Sequence, residues 1–393
     1  MTVQEHPQQT RPEPSKPPGV IEPFEVVVDP ERVTDLRDRL ARTAWPVEPA
    51  GAGADQGMPV ATVRALADRW RALDLEEVAA RVNAHPQFTA TVDGQRVHFW
   101  HVRAARPSGS PATALLLLHG WPSTLLEYAR VVGPLTDPAA HGAPDAPAFD
   151  VVVPSLPGFG FSGPTTETGW DSARSARALA ALMAGLGYER WGVVGNDVGA
   201  LVARELGILA PEGLVGVHVQ QVFAFPTDDA ELARLSDADR ASLTTGSTAD
   251  FRAKAGYQPI QEKRPQTLAF ALEDSPAGLL AWNAELWSGF GEQPVDAREY
   301  LAHLTIYWLT RTAGSAARLY LENARTGAGY RDLTNPVPTA VAVFPEDFRS
   351  LRPCVERSTN LVRYTELPRG GHFAAVTDPD LVTADVREFF ASL

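Results

Sequence analysis

The stretch Trp191-Gly-Val-Val-Gly195-Asn-Asp197-Val-Gly199-Ala decides the fold. A short apolar run, a G-x-D-x-G turn and an Ala/Leu/Arg-rich continuation read as strand, sharp turn and helix. Glycines two residues either side of Asp197 mark a turn too tight for side chains there. The apex of such a turn presents a nucleophile, and the position usually holds serine. A carboxylate changes what can be attacked. A serine that opened a small cyclic ether or displaced a halide would be left as an ether that water does not easily cleave. An aspartate is left as an ester, which an activated water hydrolyses at the aspartate's own carbonyl. The turn therefore points to attack on an sp3 carbon and away from ordinary ester hydrolysis.

Outward from the turn, Ala114-Leu-Leu-Leu-Leu118 is a buried-strand run, too short to span a bilayer, and it ends in His119-Gly120-Trp121-Pro122. Phe149-Asp-Val-Val-Val-Pro154 is a second such run, followed by Ser-Leu-Pro157-Gly158-Phe159-Gly160-Phe161-Ser162. Continuous apolar runs ending in glycine-rich loops predict a parallel sheet covered on both faces. Residues 337–344 and 361–365 add strands, and 380–393 a closing helix. Between these halves, 225–335 is helical in pattern and rich in Trp, Tyr and Leu. An all-helical insertion there predicts a cap over the C-terminal ends of the strands, where open α/β sheets keep their sites.

Before the sheet, 21–28 alternates like a strand. A helix over 29–40 follows, with Asp29 as N-cap, Pro30 at the first helical position and Val33, Leu36 and Leu40 on one face. Helices are predicted over 60–73 and 75–82, then a hairpin over 88–102 turning on Asp93-Gly94. The stretch 103–111 reads as a Pro/Ser/Gly-containing turn. The expected fold class is α/β: an α/β-hydrolase fold with a mostly parallel central sheet, helices on both faces, a helical cap and an N-terminal meander domain. The expected division is a disordered tail at 1–20, an N-terminal domain at 21–102, the core at 103–224, the cap at 225–335 and the rest of the core at 336–393.

Composition is that of an ordinary globular protein, with 44% apolar and 21% charged residues. A net charge of −13 argues against nucleic acid and anionic membranes as partners. Cys354 is the only cysteine, so no intrachain disulfide forms and a reducing cytoplasm fits. Residues 1–20 are polar and proline-rich, without the apolar core of a signal peptide. Arginine is abundant while lysine occurs only at 16, 254 and 263, a composition typical of GC-rich bacteria. No metal or cofactor motif is present.

A carboxylate nucleophile needs a base for water, and the base needs an orienting acid. Chain order in this fold is nucleophile, acid, histidine. Of nine histidines only His372 follows a late strand, in Arg369-Gly-Gly-His372-Phe. The acid should end the preceding strand, where Phe344-Pro345-Glu346-Asp347 offers two candidates. Oxyanion donors should be the backbone N–H groups of Val198 and Trp121.

His119-Gly-Trp-Pro, Pro157-Gly-Phe-Gly-Phe-Ser, Gly195-Asn-Asp197-Val-Gly, Asp274-Ser-Pro-Ala-Gly-Leu and Arg369-Gly-Gly-His-Phe together resemble the microsomal-type epoxide hydrolases. Residues 21–102 resemble that family's N-terminal domain, including Thr43-Ala-Trp45-Pro46 and Phe88-Thr-Ala-Thr-Val-Asp-Gly. No counterpart of the membrane-anchor helix of the animal enzymes is expected, so this version should be soluble, and Leu75 stands where an aromatic is common, a matter of packing. The resemblance implies conversion of an epoxide to a vicinal diol through a covalent Asp197 ester, hydrolysed by water activated by His372. It implies Asp347, two residues after the proline, as the acid, with Glu346 solvated. It also implies a cis peptide before Pro122, and two cap tyrosines as acids toward the ring oxygen, Tyr257 and Tyr320. From the residues alone Tyr300, Tyr307 and Tyr330 compete for that role.

A phenol suits this task because it stays protonated at neutral pH yet can donate into developing charge. The expected partners are a small-molecule epoxide and water, with no nucleic acid or membrane, and a homodimer as the assembly. A haloalkane dehalogenase shares the aspartate nucleophile. It commonly carries tryptophan after the nucleophile and asparagine after His-Gly, where this chain has Val198 and Trp121. A non-catalytic hydrolase-fold receptor would usually lose part of the triad.

Overall fold

The computed structural model describes residues 18–105, 113–289, 295–331 and 333–393. Most of the expected tail (1–17) and of the turn at 103–111 lies outside the described residues.

Nine strands form one sheet among the described residues: β1 (Glu22–Pro23), β2 (Gln87–Val92), β3 (Gln95–Val102), β4 (Ala114–Leu118), β5 (Asp150–Pro154), β6 (Trp191–Gly195), β7 (Leu214–Val219), β8 (Asn335–Val343) and β9 (Thr359–Glu366). Their order is β1-β2-β3-β5-β4-β6-β7-β8-β9. The first three pairings are antiparallel and the other five parallel. The all-apolar runs follow from burial on both faces: Leu116 and Leu118 join one core, Leu115 and Leu117 the other. Helices Ser172–Gly185 and Val198–Leu209 contribute to the first core, Ala129–Thr136 and Pro379–Ala391 to the second. After β4 the chain builds β5 on one side and β6 on the other. That reversal opens a crevice at the C-terminal ends of β4 and β6.

Two elements differ from the sequence reading. The strand expected over 21–28 shrinks to Glu22–Pro23. Pro23 has no N–H to donate, and Val26 N is satisfied by the Asn83 side chain (2.9 Å) in place of a strand partner. Strand β7 carries no continuous apolar signal, because Gly216 and His218 interrupt its run; His218 Nε2 is held by buried Asp385 Oδ2 at 2.8 Å.

Among the described residues, eight helices lie between β7 and β8, from Asp229–Arg234 to Ala313–Thr326. Several helix starts carry aspartate N-caps that satisfy free N–H groups, including Asp29, Asp74, Asp171 and Asp296. The N-terminal helices grip this insertion. Trp70, on Val60–Ala72, is fully buried edge-on to Trp308 and donates its indole N–H to Thr305 Oγ1 (2.9 Å). Arg39 pairs with Asp274 (2.9 Å), Arg81 with Glu299 (2.7 Å) and Arg298 with Glu77. The ion pairs at this seam are mostly solvent-screened and add little, so buried Trp70 carries the attachment.

Trp70→Ala should destabilise the fold by about 3–5 kcal/mol through cavity formation. Thr305→Val should cost about 1 kcal/mol, as expected for one hydrogen bond. Denaturant unfolding of the two variants beside the parent checks the ranking, and equal losses would mean that the hydrogen bond, not packing, holds the seam.

Candidate active site

The turn after β6 delivers Asp197 at φ 52°, ψ −118°, a backbone region that side chains other than glycine rarely enter. Both neighbouring glycines are needed for close approach. A Cβ on Gly195 would lie 2.4 Å from Gly199 O, and one on Gly199 would lie 2.0 Å from Leu118 O. The loop after β4 presses equally close, since a Cβ on Gly120 would lie 2.4 Å from Asp197 Cβ.

That contact lets the loop donate. Trp121 N–H reaches Asp197 Oδ1 at 2.8 Å, and Val198 N–H also donates to the carboxylate. The Trp121–Pro122 peptide is cis. His119 is buried and held neutral, its pKa lowered to about 4 by desolvation. Its Nδ1–H donates to Gly120 O (2.9 Å), leaving Nε2 to accept from Leu156 N (3.2 Å). The His-Gly-Trp-Pro and Pro-Gly-Phe-Gly loops are thus tied together.

His372 Nδ1 lies 2.8 Å from Asp347 Oδ1, and its Nε2 faces Asp197 Oδ2 across 3.8 Å. All three side chains are buried. Asp347 Oδ2 also accepts from Gln221 Nε2. Glu346, the other candidate acid, pairs through its backbone with Gly371. Burial opposes charge on His372, but Asp347, Asp197 and Glu127 outweigh it and raise the imidazole from 6.5 to about 9. Desolvation raises the Asp197 carboxyl, against the pull of His372 and the two backbone donors.

The carboxylate opens into a cavity of about 280 Å³ lined by Leu201, Phe223, Phe251, Phe348, Tyr257, Tyr320 and Tyr330, with Phe225 and Arg252 toward solvent. Trp121 sits under the tyrosines, its ring centroid 4.7 Å from that of Tyr257 and 5.8 Å from that of Tyr320. Desolvation, then the nearby Asp197 charge, pushes both phenols well above the ordinary value, so both keep their protons. Tyr320 Oη is buried and faces the Tyr257 phenol. The competing tyrosines are placed differently. Tyr307 Oη donates to Ser123 O (2.8 Å), Tyr300 stacks by Trp287, and Tyr330 stands half-exposed at the cavity rim.

Sequence reasoning missed the polar layer beneath the carboxylate. Gln221 Oε1 accepts from Asp197 N (2.8 Å), and its amide donates to Asn196 Oδ1 (2.8 Å). Asn196 Nδ2 donates to Glu127 Oε1 (2.8 Å) and His372 O (2.9 Å). The available signals were a polar pair, Gln220-Gln221, ending a buried strand, and an acid inside the apolar run Leu125-Leu126-Glu127-Tyr128.

Because the folded-state His372 value exceeds 6.5, its pairing stabilises the protein fully below that pH. The contribution is lost as pH rises through about 9. The melting-temperature gap between the parent and His372→Gln should therefore narrow from pH 6.5 toward 9. A gap that widens over that window would contradict a charged imidazole between carboxylates.

Comparison with known proteins places this chain in a family. A profile described as "Epoxide hydrolase N terminus" matches residues 21–128, and one for the alpha/beta hydrolase fold matches 113–269. A Stigmatella aurantiaca relative, named as an inferred epoxide hydrolase, is 38% identical over 95% of this chain and 85% of its own. Epoxide hydrolase 1 of Oryctolagus cuniculus is 30% identical over 95% of this chain and 90% of its own. The structure of Aspergillus niger epoxide hydrolase superposes with a TM-score of 0.83 at 26% identity, covering 99% of this chain and 98% of the other. The chain belongs to the epoxide hydrolase family and is a hydrolase acting on epoxides.

Proposed function

We propose that the epoxide is opened by Asp197 and the resulting ester hydrolysed by water under His372, with Asp347 orienting the imidazole. Residues 225–335 act as the cap that supplies the acids, over a core formed by 103–224 and 336–393; 21–102 is the N-terminal domain. The observation that carries this reading is the pair of buried phenols, Tyr257 and Tyr320, converging in the cavity above the Asp197 carboxylate. Two phenols that keep their protons in a desolvated pocket are poised donors, and a ring oxygen bound there would accept from them.

In the first step Asp197 Oδ2, the oxygen not held by Trp121, attacks a ring carbon. The C–O bond breaks, and the ring oxygen takes a proton from Tyr257 or Tyr320. Esterification removes the Asp197 charge, one of the carboxylates that raise His372, so the imidazole gives up its proton, which restores the tyrosine, and becomes the base. Water then attacks the Asp197 carbonyl carbon, giving its proton to His372 Nε2. The oxyanion is met by Trp121 N–H and Val198 N–H. Collapse breaks the acyl C–O bond; the diol leaves with one Asp197 oxygen and the proton from His372, and the proton that water left on the Asp197 carboxyl returns to the imidazole.

The cavity lies at the small end of ligand pockets, which span roughly 300–1,000 Å³. Its Phe223, Phe251 and Phe348 wall suits a compact apolar or aryl epoxide, from a xenobiotic or a natural-product intermediate. No helix of the described residues is long and apolar enough to cross a membrane. The lone buried cysteine supports work in a reducing cytoplasm.

A single turnover of styrene oxide in heavy-oxygen water should give unlabelled diol, the new oxygen coming from Asp197. Label in that first diol would mean direct attack by water. His372→Gln should still form the ester but stall, raising the intact-protein mass by one substrate.

Tyr257→Phe and Tyr320→Phe should each slow ester formation about 10²-fold, near the lower end for positioned acids. The double variant should nearly abolish it while sparing hydrolysis of ester already formed. Stopped-flow tryptophan fluorescence separates the steps, and near-normal ring opening in the double variant would remove the tyrosines from the mechanism.

A further inference from the structure

Glu127 has no part in the steps above, yet it lies in the floor of the site. It is 1% exposed, within the short 3-10 helix Leu125–Tyr128 that follows the His-Gly-Trp-Pro loop. Its Oε1 accepts from Asn196 Nδ2 at 2.8 Å, and its Oε2 makes a long contact with Gly120 N at 3.4 Å. The same Asn196 nitrogen holds the His372 carbonyl at 2.9 Å. Through Asn196 Oδ1 and Gln221 the chain of contacts continues to Asp347. One buried carboxylate therefore joins the donor loop, the residue before the nucleophile and the histidine loop.

We propose that Glu127 is a positioning residue for hydrolysis of the Asp197 ester, clamping Asn196 so that the His372 loop stays in register with the carbonyl that water attacks. The inference rests on the ester mechanism above. Its selectivity for the second step follows from chemistry. Ring opening uses the Asp197 carboxylate and the tyrosines, whereas hydrolysis alone uses His372 as base. Once Asp197 is esterified, Glu127 and Asp347 remain as the carboxylates acting on His372, and they stabilise the positive charge it gains from water.

A structural role alone does not call for an acid. Burial lifts the Glu127 carboxyl from 4.5 to about 7, partly offset by Asn196, Ser123, His372 and Gly120. A charged acceptor there is costly, while glutamine would fill the same volume without that cost. The charge has a use in the reaction, and hydrolysis is the step that develops positive charge beside it.

The test is single-turnover kinetics of the full chain with styrene oxide, reading ester formation and ester decay separately, with the ester also followed by intact mass. A hydrogen bond to a charged group is worth about 10–100-fold in rate. Glu127→Gln should slow decay by that factor, leave ester formation within about threefold, and let ester accumulate. Glu127→Asp, which keeps the charge, should recover part of the decay rate. Asn196→Ala should reproduce the selective loss, and the double variant Glu127→Gln/Asn196→Ala should be no slower than the worse single one, because both cut one link.

Equal slowing of both steps, unchanged decay, or fully additive losses would overturn the proposal. If Glu127→Gln does not fold, Asn196→Ala and Glu127→Asp decide it by the same split. Absence of any ester in the parent protein would overturn the Asp197 mechanism itself, and the role of Glu127 with it.

Discussion

The structure depends on one strained residue. Asp197 holds a positive-φ backbone conformation that costs roughly 1–3 kcal/mol, and it persists because its surroundings over-determine it. Its N–H is taken by Gln221, its carbonyl by Ala200 and Leu201 N–H groups, and its side chain by Trp121 N–H. Gly120, Gly195 and Gly199 let three backbones meet around it. The strain aims the carboxylate out of the sheet, at the point where strand order reverses and a crevice must open.

From there the motifs read as one assembly. The His119 imidazole ties the donor loop to the Pro157 loop. That second loop in turn receives the cap: Gly160 N donates to Thr312 Oγ1 (3.1 Å) and Ser315 Oγ donates to Gly158 O. Ser315 lies on the helix that carries Tyr320. The donor loop meets the neighbouring helix, where Thr124 contacts His303 and Ser123 O receives Tyr307 Oη. The phenols above the carboxylate are therefore registered to the Trp121 N–H beside it through a few short loops.

Much of this was legible in the chain. Strands buried on both faces leave continuous apolar runs, so 114–118, 150–154 and 191–195 stand out, and the glycine loops after them mark the site edge. What escaped is physically different. Strand β7 mixes Gly216 and His218 into its run, because one packs close to Leu393 and Phe389 and the other pairs with Asp385. The segment 21–28 has the alternation of a strand, but Pro23 and the Asn83 side chain replace its ladder. The layer of Glu127, Asn196 and Gln221 joins residues distant in the chain, and no local periodicity encodes hydrogen bonds between amides and acids from separate loops. Asn196 sat in the quoted turn, yet its role shows only when Glu127 and the His372 carbonyl converge on it.

The Trp70 anchor has a consequence for traffic. A helical insertion held at its base by the core loops and at its back by a buried indole is fastened on two sides, so it cannot swing as a hinged flap without breaking both attachments. Passage in and out then falls to the rim, where Phe225, Arg252 and Tyr330 stand in solvent. Side-chain rotation at exposed positions takes picoseconds to nanoseconds, against microseconds or longer for domain motions. The doorway is set by rotamers, and its width can be altered by changing three side chains while the frame around the carboxylate stays still.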